Sequence, residues 1–299
     1  MELEGSFPIS RPNADSCSFV QGSIQSWMKR HHQDVDRLAR EYQEAKPFPH
    51  IVVDNFLPPD LANALHNEFP SAGSPMWTKL PTEDQRFKLA TTEEGKIPPL
   101  LRSVIHELNS GSFLKFVEEL TGIHELIADT KCVGGGLHQI KRGGKLAVHV
   151  DYSHHPKNGL FRRVNLLLYL NQNWKEEYKG HLELWNTGIT KCEKKILPVF
   201  NRCAIFSTSD ASYHGHPEPL ACPEDMTRKS LALYYFTKEP PAGKEEVVHN
   251  TLFKSRPGDG FRLGNFIVRF ASSGLFRDLM PPVLYRGIRG AWNRIFISR

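Results

Sequence analysis

Leu146-Ala147-Val148-His149-Val150-Asp151 is a run of β-forming residues in which two side chains able to ligate a metal stand two positions apart. In an extended strand successive side chains point to opposite faces. His149 and Asp151 therefore project together, while Leu146, Val148 and Val150 pack on the other side. A second imidazole from a distant strand would complete a triangular face of two nitrogens and one carboxylate. That face leaves positions open on a metal, which suits Fe(II) that must also take a chelating acid and dioxygen. A lone His-x-Asp arises often by chance, so the elements downstream decide the reading.

Two such elements follow. The segment Ser212-Tyr213-His214-Gly215-His216 offers the second imidazole. His214 and His216 could both reach a common face, and spacing alone does not choose between them. Further on, Arg228-Lys229-Ser230 puts a guanidinium and a hydroxyl on one strand face that Ala232 and Tyr234 continue. A planar guanidinium holds a carboxylate bidentately, and an Arg entering the apolar strand Leu231 to Phe236 needs an anion. An isolated Arg is more often part of a surface ion pair; the apolar strand and the upstream pair weigh against that here. On the strand from Val164 to Leu170 the even positions are apolar, whereas the odd face presents Asn165, Leu167 and Tyr169. One face is core and the other looks into a lumen.

With these elements in place, the stretch from about Gly134 to Phe236 resembles the Fe(II)/2-oxoglutarate dioxygenase superfamily, in its prolyl 4-hydroxylase-like branch. The order matches through His149-x-Asp151, Arg163 to Asn171, Gly180-His181-Leu182-Glu183-Leu184-Trp185, Pro198 to Phe206, His214 and Arg228-x-Ser230. The resemblance implies an α+β chain with a mainly β core: a distorted double-stranded β-helix, jelly-roll or cupin-like, buttressed by N-terminal helices. It implies iron held by His149, Asp151 and His214, because Gly215, Pro217 and Pro219 supply the turn that follows the family's distal ligand; His216 then caps a loop. It also implies that Arg228 and Ser230 bind the distal carboxylate of 2-oxoglutarate, that the Tyr169 hydroxyl donates to the same group, and that Asn165 lies nearby. Dioxygen is the second co-substrate, and ascorbate is among the expected accessory reductants.

The activity so implied is hydroxylation of an unactivated carbon with decarboxylation of 2-oxoglutarate to succinate. The carboxylate at Asp151 favours hydroxylation over halogenation. Peptidyl proline or another amino-acid side chain is the expected substrate, with a small metabolite or glycan as the alternative for the same chemistry. A non-catalytic metal- or partner-binding module on the same fold is the alternative of another class. Its mark would be a missing ligand or a missing Arg.

One departure from the family is the stretch Leu137-His138-Gln139-Ile140, where a Tyr is common; His138 or Gln139 is the substitute donor. Gly134-Gly135-Gly136 lacks a following Gly-Lys-Ser/Thr and reads as a flexible lead into a strand. His154, His155, Lys157, Arg162 and Trp174 either line the entrance to the site or belong to an exposed loop.

At 299 residues and 39% hydrophobic the chain can bury one large core with appendages. Cys17, Cys132, Cys192, Cys203 and Cys222 form no Cys-x-x-Cys pair, which points to a reducing compartment and a cytoplasmic protein. Glu2 and Glu4 stand where a leader would be basic, and no run of apolar residues is long enough to span a bilayer.

The net charge of +5 is uneven: residues 250–299 alone carry +7, so the remainder is slightly acidic. Nothing in the pattern is a strong nucleic-acid signal. Composition divides the chain into a loosely attached N-terminus (1–20), the dioxygenase domain (21–245, motif core 134–236) and a basic C-terminal extension (246–299). In that extension Leu284, Ile288, Trp292 and Ile295 fall at helical spacing among arginines. Packing of that stripe on the core or on a second subunit is expected ahead of membrane-surface contact. Elsewhere the pattern predicts a helix over 24–45, a strand over 48–56, a helix over 58–69, and two helices in 98–121 separated at Ser110-Gly111.

Overall fold

The structure, a computed structural model, describes residues 14–80, 82–91, 93–241 and 248–259. In chain order the elements begin with α1 (Ala14–His32), α2 (Val35–Glu44), β1 (His50–Val53), α3 (Pro59–Glu68), β2 (Thr78–Leu80), β3 (Lys88–Thr91), α4 (Pro99–Leu108) and α5 (Gly111–Thr121). Strands then dominate: β4 (Ile127–Ala128), β5 (Gly136–Lys141), β6 (Leu146–Val150), β7 (Phe161–Tyr169), β8 (Leu182–Trp185), β9 (Cys192–Ile196), β10 (Arg202–Ser207), β11 (His214–His216), β12 (Thr227–Thr237) and β13 (Leu252–Phe253). The helix termini follow local chemistry. Pro59 and Pro99 occupy first-turn positions where a missing N–H costs nothing, and the Ser110 hydroxyl accepts from the Phe113 N–H at 3.3 Å.

Two sheets face one another. The larger runs β1-β10-β7-β12-β5-β3-β2, with β4 added beside β12, and the smaller runs β13-β6-β11-β8-β9. This is the expected double-stranded β-helix, and the expected helical buttress is also present. Leu137, Val164, Leu166, Leu168, Ile205, Leu231, Leu233 and Tyr235 on the outer face of the larger sheet join Trp27, Tyr42, Leu61, Leu65, Leu101, Val104 and Phe113 of the helices in one core. Covering one face with helices leaves the inner face to line the space between the sheets.

Several sequence expectations differ in detail from the structure. Residues 14–20, expected to be loosely attached, open α1. Val20, Ile24 and Trp27 are buried at helical spacing, a stripe too sparse to stand out against the Ser and Gln around it. The single helix expected over 24–45 is two, interrupted by a turn in which the Asp34 N–H donates to the His31 carbonyl at 3.0 Å. Gly135 is no flexible lead. A Cβ there would stand 2.8 Å from the Ala232 carbonyl oxygen, so the glycine permits close approach of two backbones.

The compact unit extends to Ser255 rather than 245, because β13 pairs with β6, Leu252 opposite Val150 and Phe253 opposite His149. A second unit starts at Arg256. Its described residues, 256–259, form a turn in which the Arg256 guanidinium meets the Asp259 carboxylate at 3.0 Å. The stripe Leu284, Ile288, Trp292 and Ile295 and residues 1–13 lie outside the described residues. Among the described residues no helix is long and apolar enough to cross a membrane.

Leu166 is fully buried in the helix–sheet core, on the strand face opposite Asn165. Leu166→Ala is expected to lower unfolding free energy by about 2–5 kcal/mol, the usual cost of such a truncation. Urea denaturation measures it, and metal uptake by the folded variant should be preserved.

Candidate active site

Pairing between β6 and β11 builds the metal face. His149 and His214 are direct cross-strand partners, and their rings stand 4.4 Å apart. Asp151 follows β6 immediately. One ligand atom from each of His149, Asp151 and His214 lies within 4.8 Å of the others. The donor set fits a metal for a reason visible in the hydrogen bonds. The Nδ1 of His149 lies 2.9 Å from the Ala147 carbonyl and that of His214 lies 2.8 Å from the Ser212 carbonyl, so each ring N–H is committed to backbone. Both Nε2 lone pairs then converge on the Asp151 carboxylate, at 3.5 and 3.4 Å. Gly215 between the strands' imidazoles is obligatory by space, since a Cβ would meet the Ala147 carbonyl oxygen at 2.8 Å.

Asp151 is clamped from behind. Its Oδ2 accepts from Asn165 Nδ2 at 2.7 Å and pairs with the buried Arg162 guanidinium at 3.1 Å. Arg162 in turn donates twice to Asn165 Oδ1 and lies against the rings of Tyr152 and Tyr234, 4.5 and 3.5 Å from their centroids. Burial alone would raise the Asp151 pKa. Arg162, with His214 and His149, overrides it and holds the carboxyl well below the usual carboxylate range. Burial pushes His214 down to about 4 despite Asp151 beside it, so the ring is neutral and free to ligate at physiological pH.

The three ligands open into a cavity of about 420 Å³, in the range of small-molecule sites. Across it the rungs of the larger sheet align inward-facing residues. Leu80, Lys88, Ile140 and Arg228 form one row, and Ala90, His138, Ser230 and Tyr169 form the next. Arg228 is 4% exposed; its Nε donates to the Gly180 carbonyl at 2.8 Å and its terminal nitrogen to the Tyr169 hydroxyl at 3.3 Å. Among the described residues no carboxylate pairs with it. Burial lowers its pKa, opposed by Tyr169, and an entering carboxylate would reverse that cost.

The expected site residues therefore divide. His149, Asp151, His214, Arg228, Ser230 and Asn165 all border one cavity. Tyr169 does not line it and instead backs the Arg228 guanidinium, while Asn165 spends its amide on Asp151 and Arg162 rather than facing an open anion site. His138 is the inward residue of the His138/Gln139 pair; Gln139 turns outward and donates to the Pro70 carbonyl at 2.8 Å. Of the residues expected near the entrance, only Arg162 borders the cavity. Trp174 packs with Ile140, Leu220 and Cys222, and His155 sits beside Asp129 at 3.5 Å.

Arg162 escaped the alternation argument because the ladder slips at Arg163. Phe236 pairs with Arg162 and Tyr235 with Val164, so residues 162 and 165 share a face. A similar irregularity opposite Gly215 turns Leu146 inward with His149.

Residues 135–236 match the family model described as the 2OG-Fe(II) oxygenase superfamily. They belong to it. A curated relative, prolyl 3-hydroxylase OGFOD1 of Mus musculus, is 25% identical over 197 residues covering 64% of this chain and 33% of its own length. The chain thus spans about a third of the curated relative that it matches. Among solved structures, a prolyl hydroxylase from Trichoplax adhaerens in complex with a hypoxia inducible factor oxygen degradation domain peptide fragment is 19% identical. It shares the fold over 69% of this chain and 92% of its own, with a TM-score of 0.50. Fe(II) and 2-oxoglutarate are the cofactor and co-substrate that go with that superfamily, and His149, Asp151 and His214 form a group that could hold the metal.

His149→Ala, Asp151→Ala and His214→Ala are each expected to lose stoichiometric iron, whereas His216→Ala should retain it. Metal analysis of the four purified variants checks this, and an intact site in His214→Ala would reassign the ligand.

A pH effect follows from His138, whose pKa is held well below 6.5 by burial first and by Lys88 next. In the window below the ordinary imidazole value the unfolded chain takes up a proton that the native state refuses. Native stability should therefore fall as pH drops under about 6.5. Denaturation midpoints of the metal-free protein, compared with His138→Gln, should show a shallower acid loss in the variant.

Proposed function

We propose that this protein is an Fe(II)- and 2-oxoglutarate-dependent dioxygenase that hydroxylates a prolyl residue or another amino-acid side chain. The observation that carries the reading is the coexistence, in one cavity, of the His149, Asp151 and His214 ligand face with a buried Arg228 that meets no carboxylate among the described residues. Ferrous iron, when bound, supplies the redox chemistry that couples decarboxylation of 2-oxoglutarate to succinate with insertion of oxygen into a C–H bond.

The chain's own groups do the rest. Arg162 and Asn165 keep Asp151 ionised and aimed. The backbone carbonyls of Ala147 and Ser212 fix the imidazole tautomers. Arg228, steadied by Gly180 and Tyr169, takes the distal carboxylate of 2-oxoglutarate with Ser230 beside it on the same strand face. The near-complete burial of both imidazoles keeps bulk water from the ligand face.

The prolyl class is supported by the names of the mouse and Trichoplax relatives, and the peptide held by the latter makes a peptidyl substrate a natural counterpart. A purely structural, metal-free role is disfavoured by the intact ligand set and the retained Arg228. The five free cysteines support the further proposal of a reducing, cytoplasmic location.

Turnover of 2-oxoglutarate to succinate under Fe(II) tests the activity directly. Arg228→Ala is expected to raise the 2-oxoglutarate requirement by about 10- to 100-fold, the range for a lost hydrogen bond to a charged group, while iron stays bound. Arg228→Lys should recover only part, because an ammonium cannot reproduce the bidentate fork. Unchanged co-substrate affinity in Arg228→Ala would remove the anchor and with it this reading of the cavity.

A further inference from the structure

The β2–β3 hairpin lies outside the segment matched by the family model and lengthens the larger sheet beyond β5. Its inward positions become cavity wall: Thr78, Leu80, Lys88 and Ala90 all border the space that the metal ligands open into. Residues 86 and 87, just before β3, are tied to the β5 end and the turn after it. The Lys141 N–H donates to the Phe87 carbonyl, and the Lys145 N–H and the Arg86 carbonyl meet at 3.1 Å. Lys88 is thereby fixed in the same cross-strand row as Ile140 and Arg228.

Among the described residues the Lys88 ammonium has neither an ion-pair nor a hydrogen-bond partner. The acid that acts on it most is Asp151, already committed to Arg162, to Asn165 and to the metal face. Burial lowers its pKa to about 8, with Arg228 and Arg162 adding to the fall, yet the group remains largely protonated at neutral pH. His216, on β11 of the smaller sheet, borders the same cavity. It is 2% exposed, and neither ring nitrogen has a protein partner. Its strand neighbour His214 belongs to the metal face, and Lys88 and Arg228 border the same cavity. An unpaired buried imidazole and an unpaired ammonium bordering one cavity are costly unless a polar ligand meets them.

The charges sharpen the identity of that ligand. Asp151 offsets Arg162. A divalent metal and Arg228 together carry three positive charges against the two negative charges of 2-oxoglutarate. Lys88 adds one more, so the loaded cavity still calls for an anion that the co-substrate does not supply.

We infer that Lys88 is the recognition point for a carboxylate on the molecule that is oxidised, so that the substrate of this site is an acid. This rests on the dioxygenase reading above and adds the substrate class to it. The carboxylate could belong to an acidic residue beside the target in a peptide, or be the α-carboxylate of a free amino acid.

The two sources separate in one experiment. Protein loaded with Mn(II), which supports no turnover, and saturated with 2-oxoglutarate is titrated calorimetrically with two matched pairs. The first pair is an acetylated Pro-Glu peptide amide and its Pro-Gln counterpart; the second is L-proline and L-prolinamide. One acid is expected to bind at least tenfold tighter than its neutral partner, and which one does so names the source. Lys88→Met should abolish the preference, Lys88→Arg should keep it, and Lys88→Glu should turn it against the acid. The affinity of Lys88→Met for 2-oxoglutarate itself should stay within about twofold of wild type.

Equal binding within both pairs, no binding of either acid, or a preference that survives in Lys88→Met overturns the inference. So does a tenfold loss of 2-oxoglutarate affinity in Lys88→Met, which would make Lys88 part of the co-substrate clamp. Failure of the underlying reading has a different signature: wild-type protein would then take up neither Mn(II) nor 2-oxoglutarate.

Discussion

An ionised carboxylate at a largely buried position is the constraint on which the rest of the site depends. Asp151 is driven toward its neutral form by burial, and a neutral carboxylic acid is a poor metal ligand. Arg162 and Asn165 reverse that preference by meeting Oδ2 at 3.1 and 2.7 Å. Placing a guanidinium there creates its own desolvation problem, which is answered by the faces of Tyr152 and Tyr234 and by the Asn165 carbonyl. The two tyrosine hydroxyls are in turn tied to the Val133 and Gly134 carbonyls. A chain of contacts therefore runs from the backbone of residues 133–134 to one oxygen of Asp151. Each link makes the next affordable in free energy.

The same backbone segment explains why the glycines lie where they do. Close approach of residues 134–136 to β12 brings the carbonyl of Gly134 to Tyr234 and also to His138 Nε2, at 2.9 and 3.1 Å. Across the lumen, Gly215 allows β11 to pack against β6 tightly enough for His149 and His214 to share a ligand face. Position, not flexibility, is the use of glycine at both places. Larger residues would separate strands whose spacing sets the distance between ligands.

Much of this was legible in the sequence where side-chain period and backbone period agree. His149 and Asp151 sit on regular alternation, as do Arg228, Ser230, Ala232 and Tyr234, and these fell on the face expected of them. Helices α3, α4 and α5 announced themselves through Pro-led starts and the Ser110 cap. Legibility failed at two ladder irregularities, in the β7–β12 and β6–β11 pairings, where one extra residue inverts parity. Arg162 was thus read as an entrance residue and Leu146 as core, although both face the cavity. A bulge leaves no mark that composition can reveal, because it is set by how two strands lock together.

Lys88 was invisible for another reason. Its strand is only four residues long, too short for an alternation pattern to mark one face. Its meaning comes only from the partner strand, since pairing with β5 turns a surface position into cavity wall.

That dependence on tertiary pairing divides the labour within the cavity. The segment matched by the family model supplies two imidazoles, a clamped carboxylate and the buried Arg228 guanidinium, all on or beside strands that are largely buried. The hairpin contributes only Thr78, Leu80, Gln85, Lys88 and Ala90, at the free edge of the sheet, where a side chain can change without disturbing a rung that carries a ligand. An edge hairpin is a permissive place for a specificity determinant. It reaches the reacting space through its inward residues, while among the described residues its outer edge has no strand neighbour in the sheet to constrain it. A charge placed there selects among substrates, and the same charge placed on β7 or β12 would compete with Arg162 or Arg228 for the anions on which the metal face and the co-substrate depend.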